Sequence, residues 1–309
     1  DGTAGQKFVV GYHKLGSHEL LPIRECPISS PLINRAIQAA WTLGVDHALP
    51  QGLVEIEFFA GDSDSHLLLE FLVGPNAGHA SLRALAEELQ STLKEIAGVA
   101  AVPHRQRGEE LVAAPELDTP TLDRGKALVG RDYLDYRVGD FGYRVSAGSF
   151  FQTNRHLTGT LLELVCKGAQ GKLAIDLYAG VGLFATALAK SFERVIAVES
   201  APSSFADLKS NAPRNVKTIE ATTELFLQRN SQKPDFVVVD PPRAGLGKHA
   251  VAGLAKLASK SITYVSCDPS TLARDLPALT SAGYRITEAH LVDLFPQTFH
   301  METVLRMER

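Results

Sequence analysis

Residues 173–184 read L-A-I-D-L-Y-A-G-V-G-L-F, an apolar run that passes through a glycine turn into a helical pattern. Gly180 and Gly182 let a backbone approach a ligand closely, and a helix that starts there offers free N–H groups. Outward from this stretch the same grammar repeats. R-V-I-A-V-E-S (194–200), D-F-V-V-V-D (235–240) and S-I-T-Y-V-S (261–266) are apolar runs that end on polar residues, with helical stretches between them. Near-continuous apolar strands alternating with helices imply βαβ units and a largely parallel sheet. Residues 149–309 are therefore expected to form an α/β, doubly wound, Rossmann-like domain.

A lone G-x-G fits a dinucleotide site, an S-adenosylmethionine site or a plain tight turn. The third position of a dinucleotide fingerprint is here Ala185, and the strand ends on an acid, Asp176. A carboxylate there repels a pyrophosphate and suits the cationic amino-acid part of S-adenosyl-L-methionine. Glu199 closes the next strand, placed for the two hydroxyls of a ribose. The plainer alternatives are that Asp176 caps the turn and that Glu199 is a solvated strand end.

The first half has mixed grammar and is expected to be a smaller α+β domain over 1–148. Lys7–Lys14 and Leu20–Arg24 read as short strands, and Pro31 opens a helix through Ala40. Residues 52–60 and 66–73 are β-rich around G-D-S-D-S, and 134–138 with 143–146 form a second hairpin. Ser81–Ala97 carries a helical stripe of Leu82, Leu85, Leu89, Leu93 and Ile96. In the second half, residues 154–170 also read as helix.

With 309 residues the chain is long enough for two cores, and its net charge of −4 supplies no global attraction to a polyanion. Any nucleic acid must meet a local basic patch, for which Arg105, Arg107, Arg131 and Arg137 are the candidates. Three scattered cysteines, 26, 166 and 267, give neither a zinc spacing nor a disulfide framework, which favours a reducing, cytoplasmic setting. No apolar run is long enough to cross a bilayer, no signal peptide opens the chain, and no obligate protein partner is evident. The first residue is Asp1, so the natural product is expected to begin further upstream.

Two strand ends carry candidate chemistry. Asp240-Pro241-Pro242-Arg243 follows F-V-V-V, and the prolines force a rigid exit that fixes the Asp240 carboxylate at the sheet edge. Y-V-S-C-D-P (264–269) puts Cys267 where a strand stops, which is where open α/β sheets do chemistry. A helix starting near Ser270 and the Arg243 side chain are both expected to favour the thiolate. The alternative is a small apolar filler, the reading given to Cys166. His300 and Glu302, two apart beside a final strand over 303–307, would share a face.

F-F-Q-T-N (150–154), D-L-Y-A-G-V-G, D-P-P-R-A-G, S-C-D-P-S-T-L-A-R-D-L and P-Q-T-F-H-M-E-T-V, in that order, resemble the S-adenosylmethionine-dependent RNA uracil-C5 methyltransferases of rRNA and tRNA. The resemblance covers the second half closely and reaches E-C-P-I at Cys26. It implies Cys267 as nucleophile and Glu302 as general base. Asp240 would contact both uracil and cofactor, and Phe150 the substrate, with the first half recognising the RNA; apart from the resemblance, Arg243 is the candidate substrate-binding donor to the charge that develops on uracil O4. Gln152, Tyr178, Gly180 and Glu199 would line the cofactor pocket, with Asn154 closing its motif and Thr222 near the adenine. Structured RNA is the implied partner.

Two departures stand out. Many such enzymes begin with a small β-barrel, for which this sequence has no room. Some carry a four-cysteine iron–sulfur cluster whose last ligand sits in a Cys-Pro step like Cys26-Pro27; the other three ligands are absent from this sequence, so no metal is expected, and Cys26 reads either as a core residue or as one quarter of a site whose remainder lies outside it. Two other classes stay open. An exocyclic-amine methyltransferase would use Asp240-Pro-Pro without Cys267, although Arg243 stands where that class has a stacking aromatic. An RNA-binding module would carry a vestigial cofactor site.

Overall fold

The computed structural model describes residues 9–14, 17, 19–46, 49–104, 125–298 and 300–309. The chain divides into two compact units: residues 1–134 with 146–148, and residues 135–145 with 149–309. The hairpin arm 135–145 thus goes with the second unit rather than with residues 1–134.

The first unit contains β1 (Gly11–His13), β2 (Leu20–Pro22), α1 (Pro31–Asp46), β3 (Leu53–Ala60), β4 (Leu67–Val73), α2 (His79–Thr92), β5 (Ile96–Pro103) and β6 (Lys126–Gly130). Its sheet runs β3-β4-β5-β6, antiparallel except for the β4–β5 pair, which α2 connects. The apolar faces of both helices meet the sheet through Leu32, Leu43, Leu69, Phe71, Leu82 and Leu89, all buried. The helix expected through Ala97 ends at Thr92. Leu93 is its C-cap, and Ile96 opens β5 while still packing in the same core. A strand that follows in phase with a helical stripe extends the pattern without extending the helix. Residues 7 and 8 of the expected first strand, and Arg105 and Arg107, lie outside the described residues.

Two strands bridge the division, β7 (Tyr133–Val138) and β8 (Phe141–Ser146), paired as a ribbon. The second unit continues with α3 (Thr158–Cys166), β9 (Gly171–Leu177), α4 (Leu183–Leu188), β10 (Phe192–Glu199), α5 (Pro202–Asn211), β11 (Val216–Glu220) and α6 (Thr223–Arg229). It ends with β12 (Phe236–Val239), α7 (Gly247–Leu257), β13 (Ser261–Ser266), α8 (Pro269–Ser281), β14 (Arg285–Val292) and β15 (Glu302–Glu308). The helix read over 154–170 is the shorter α3, and β5, β6, β11 and β14 are strands beyond those the sequence pattern marked.

The seven-stranded sheet has the order β11-β10-β9-β12-β13-β15-β14. Its first five strands are parallel, and β15 is antiparallel to both neighbours. Winding proceeds one way from β9 to β10 and β11, and the other way from β12 onward. The switch lies between β9 and β12, and ligands bind beyond the carboxyl ends of strands at such a point. The sheet interior is apolar: Ile175, Leu177, Val237, Val239, Ile262 and Tyr264 are fully buried. Among the described residues no helix is long and apolar enough to cross a membrane.

Candidate active site

The glycine turn after β9 is held by a carboxylate. Glu199, at the end of β10, accepts from the Gly180 N–H through Oε2 (2.8 Å) and from the Ser200 and Ala201 N–H groups through Oε1 (2.7 Å each). A carboxylate has about four lone-pair positions, so three are filled and one remains for a hydroxyl. Gly180 has φ +54°, and a Cβ there would meet nothing nearer than the Phe150 carbonyl oxygen at 3.9 Å. The gap above the turn is therefore real, and the F-F-Q-T-N segment borders it. Tyr178 leaves β9 in a left-handed conformation (φ +60°), which tyrosine adopts only under constraint.

The F-F-Q-T-N segment splits its side chains. Phe150 is 67% exposed, whereas Phe151 is buried against Tyr136 and Tyr143 of the hairpin arm, with ring centroids 4.8 and 5.8 Å away. Gln152 is buried. Asn154 accepts from the His156 and Leu157 N–H groups and donates to the Leu294 carbonyl (2.9 Å), which ties the segment to the approach to β15.

Carboxyl groups concentrate at the switch point. Asp176, expected among the cofactor contacts, is sealed beneath the turn: neither oxygen reaches solvent, and the Ala185 N–H is the donor nearest to satisfying it. Burial, reinforced by the Glu199 charge, pushes it up to about 8. Asp240 follows β12, its N–H donating to the Leu177 carbonyl. Burial, then the charges of Glu302 and Asp176, hold its carboxyl well above the usual range. Glu302 opens β15, is 3% exposed, has Oε1 without a partner, and is pushed by burial to about 7.

Cys267 follows β13 and is partly buried. The last pair of the β13–β15 ladder is Ser266 with Thr303, so one further step sets Cys267 beside Glu302. The expected thiolate stabilisation is overturned. Burial and the charges of Glu302 and Asp240 raise the thiol, and Arg243 lowers it by less. The helix end gives no help because Asp268 caps α8, accepting from the Ser270 and Thr271 N–H groups (2.8 and 3.1 Å). Strand alternation does not reach His300, since β15 begins at Glu302.

Several candidates stand elsewhere or have other duties. Thr222 caps α6 through Oγ1, which accepts from the Leu225 N–H (3.3 Å). Arg131 lies over the Tyr133 ring, and Arg137 is exposed on β7. Cys26 packs with Ile37 and Trp41, and its backbone is clamped by both ends of the Asn34 amide (2.7 and 3.0 Å). Burial raises its thiol, but hydrogen bonds from Ser29 and Tyr12 and the Ile28 and Ser29 amides bring it below the ordinary value. Among the described residues no group of three or more His, Cys, Asp or Glu is arranged to hold a metal.

A doubly wound sheet, with a glycine turn held by an acid and a cluster of carboxyls at the switch point, defines a Rossmann-like methyltransferase domain. Among solved structures, a tRNA (uracil-54, C5)-methyltransferase of Pyrococcus abyssi, in complex with S-adenosyl-L-homocysteine, shares this fold. It has a TM-score of 0.74 and 23% identity, over 97% of this chain and 72% of that one. The chain belongs to the tRNA (uracil-5-)-methyltransferase family, whose profile matches residues 12–309. Relatives described as uncharacterized RNA methyltransferases include one from Streptomyces avermitilis, 33% identical over 100% of this chain and 64% of its own length. Another, from Caldanaerobacter subterraneus, is 29% identical over 100% of this chain and 70% of its own. The chain thus spans about two thirds of the length of the curated relatives it matches.

Proposed function

We propose that the protein transfers a methyl group from S-adenosyl-L-methionine to C5 of a uridine in structured RNA, tRNA or rRNA, through a transient bond between Cys267 Sγ and C6 of the ring. The observation that carries this reading is the meeting of Cys267, Glu302 and Asp240 at one sheet edge. Family membership supports the substrate class. We assign the reaction to the cytoplasm, consistent with three unpaired cysteines.

The chain's residues fit the cofactor. The space over Gly180 and the spare lone pair of Glu199 suit a ribose, and Tyr178 and Gln152 are the further cofactor contacts in this reading. When bound, S-adenosyl-L-methionine would supply an electrophilic methyl group on a sulfonium and would leave as the thioether S-adenosyl-L-homocysteine.

Uracil C5 is a weak nucleophile unaided. Cys267, which is partly exposed, releases its thiol proton to solvent and the thiolate adds to C6, so that ring electrons move to C5 and O4. The Arg243 guanidinium is the donor at hand for the charge on O4, and the Asp240 carboxyl, which burial shifts toward its neutral form, stands beside it. Once C5 carries both methyl and hydrogen, ionised Glu302 removes the proton, the C5=C6 bond returns and Cys267 is expelled. Glu302, poised near neutrality, is suited to that exchange. Phe150 offers an exposed ring on which an extruded base can stack, offsetting part of the few kcal/mol that flipping costs.

Incubating tRNA and rRNA fragments with enzyme and S-adenosyl-L-methionine, then digesting them for nucleoside mass spectrometry, tests the activity. New 5-methyluridine supports the reading; methylated adenosine, guanosine or cytidine in its place contradicts it.

A further inference from the structure

The loop that carries Asp240 and Arg243 does not float free of the Cys267 helix. In the second turn of α8, Asp275 is 3% exposed. Its Oδ2 accepts from the Leu246 N–H (2.8 Å) and from the Tyr264 hydroxyl (2.9 Å). Tyr264 lies on β13 three residues before Cys267 and is paired in register with Val239, the residue before Asp240. Asp275 therefore grips the far end of the Asp240–Leu246 loop and the strand that delivers the thiol with one oxygen.

The neighbouring side chain holds the middle of the same loop. Arg274 Nε donates to Asp275 Oδ1 (3.0 Å) and Nη2 donates to the Ala244 carbonyl (2.7 Å). Between these contacts stands Gly245, at φ +72°; a Cβ there would meet Arg274 Nη2 at 2.6 Å and Asp275 Oδ2 at 2.8 Å. The loop is closed on itself by the Gly245 N–H, which donates to the Pro242 carbonyl (2.8 Å). Only a residue without a side chain lets the pair close this tightly.

We infer that Arg274 and Asp275 are positioning residues that fix where Asp240 and Arg243 stand relative to Cys267. The inference deepens the uridine methylation reading and rests on it. Neither side chain touches the substrate; both act through the loop. Displacing a catalytic group by about 1 Å can cost about 100-fold in rate.

The test uses tRNA and rRNA transcripts made with 5-fluorouridine, which hold the covalent complex, and transcripts with ordinary uridine. Arg274→Ala is the informative variant because the side chain is 52% exposed and its loss leaves no large cavity. Asp275→Asn keeps the shape and one acceptor oxygen. Arg274→Ala is expected to slow single-turnover adduct formation at least tenfold, with RNA KM within twofold and the unfolding temperature near that of the wild type. Arg274→Lys, which can still reach the Ala244 carbonyl, is expected to recover part of the rate. Asp275→Asn is expected to fall between Arg274→Ala and the wild type. Wild-type rates in Arg274→Ala, or a rate loss that only tracks the unfolding temperature, overturn the inference. A wild type that methylates without forming an adduct contradicts the Cys267 reading instead; the methylation rates of the same variants then decide the positioning role.

Discussion

Glu302 opens β15 and Cys267 follows the antiparallel β13, each one step past the Ser266–Thr303 pair, so a buried carboxyl near neutrality adjoins a cysteine at the sheet edge. The acid is too constrained by burial to be a surface group and too close to the thiol to act independently of it. Glu302→Gln should therefore leave the Sγ–C6 bond able to form but unable to resolve. Turnover should fall about 100- to 10,000-fold, the range for loss of a general base. Denaturing gels with ordinary uridine RNA should show a protein–RNA species that the wild type does not accumulate.

The same carboxyl gives opposite pH trends for stability and for chemistry. Its folded pKa is raised from 4.5 to about 7, so between those values the native state keeps a proton that the unfolded chain has released. Stability from this group is full below pH 4.5 and declines as pH rises through 7. The change is about 3 kcal/mol as an order of magnitude. Glu302→Gln should thus unfold at a higher temperature than the wild type at pH 8 and at a similar one at pH 4.5. The resolution step, which needs the ionised acid, should accelerate as pH rises through about 7. Calorimetric scans and single-turnover rates across pH check the two signs separately.

Phe150 is two-thirds exposed, and its removal should cost little stability. If the ring is the stacking surface for the extruded base, Phe150→Ala loses about 1–3 kcal/mol of base contact. RNA KM should then rise about 10- to 100-fold, with an unchanged unfolding temperature and intact cofactor binding. Steady-state kinetics beside a thermal melt separate this from a general folding defect.

Glu199 holds the glycine turn through three backbone N–H groups. Glu199→Gln replaces one acceptor oxygen with a donor that faces those N–H groups, leaving at least one of them unsatisfied. S-adenosyl-L-methionine affinity measured by calorimetry should fall at least tenfold. Equal affinity would mean that the turn is shaped by other contacts.

The strand-turn-helix at 173–184 and the three apolar runs after it were legible because buried parallel strands are written as near-continuous apolar stretches. β11, V-K-T-I-E, was not, since it is an edge strand with only one neighbour and carries exposed polar residues. β14 was hidden in the same way. The positions of Cys267 and Asp240 could be read from where an apolar run stops, and that of Glu302 from where the last one begins. Their electrostatics could not. The convergence of Glu302 and Asp240 on the thiol depends on the registers that β13 forms with β15 and with β12, strands well apart in the chain. Nor did spacing mark Asp275 as more than a helix-face acid; its work appears only when the 240–246 loop folds back over it.

The most direct test of the account traps the complex on RNA containing 5-fluorouridine, digests it with protease and nuclease, and sequences the modified peptide by mass spectrometry. The account predicts a methylated fluorouridine remnant on the peptide that contains Cys267, and no trapped species from Cys267→Ala. A remnant on another residue, or a trapped species that survives Cys267→Ala, would contradict it.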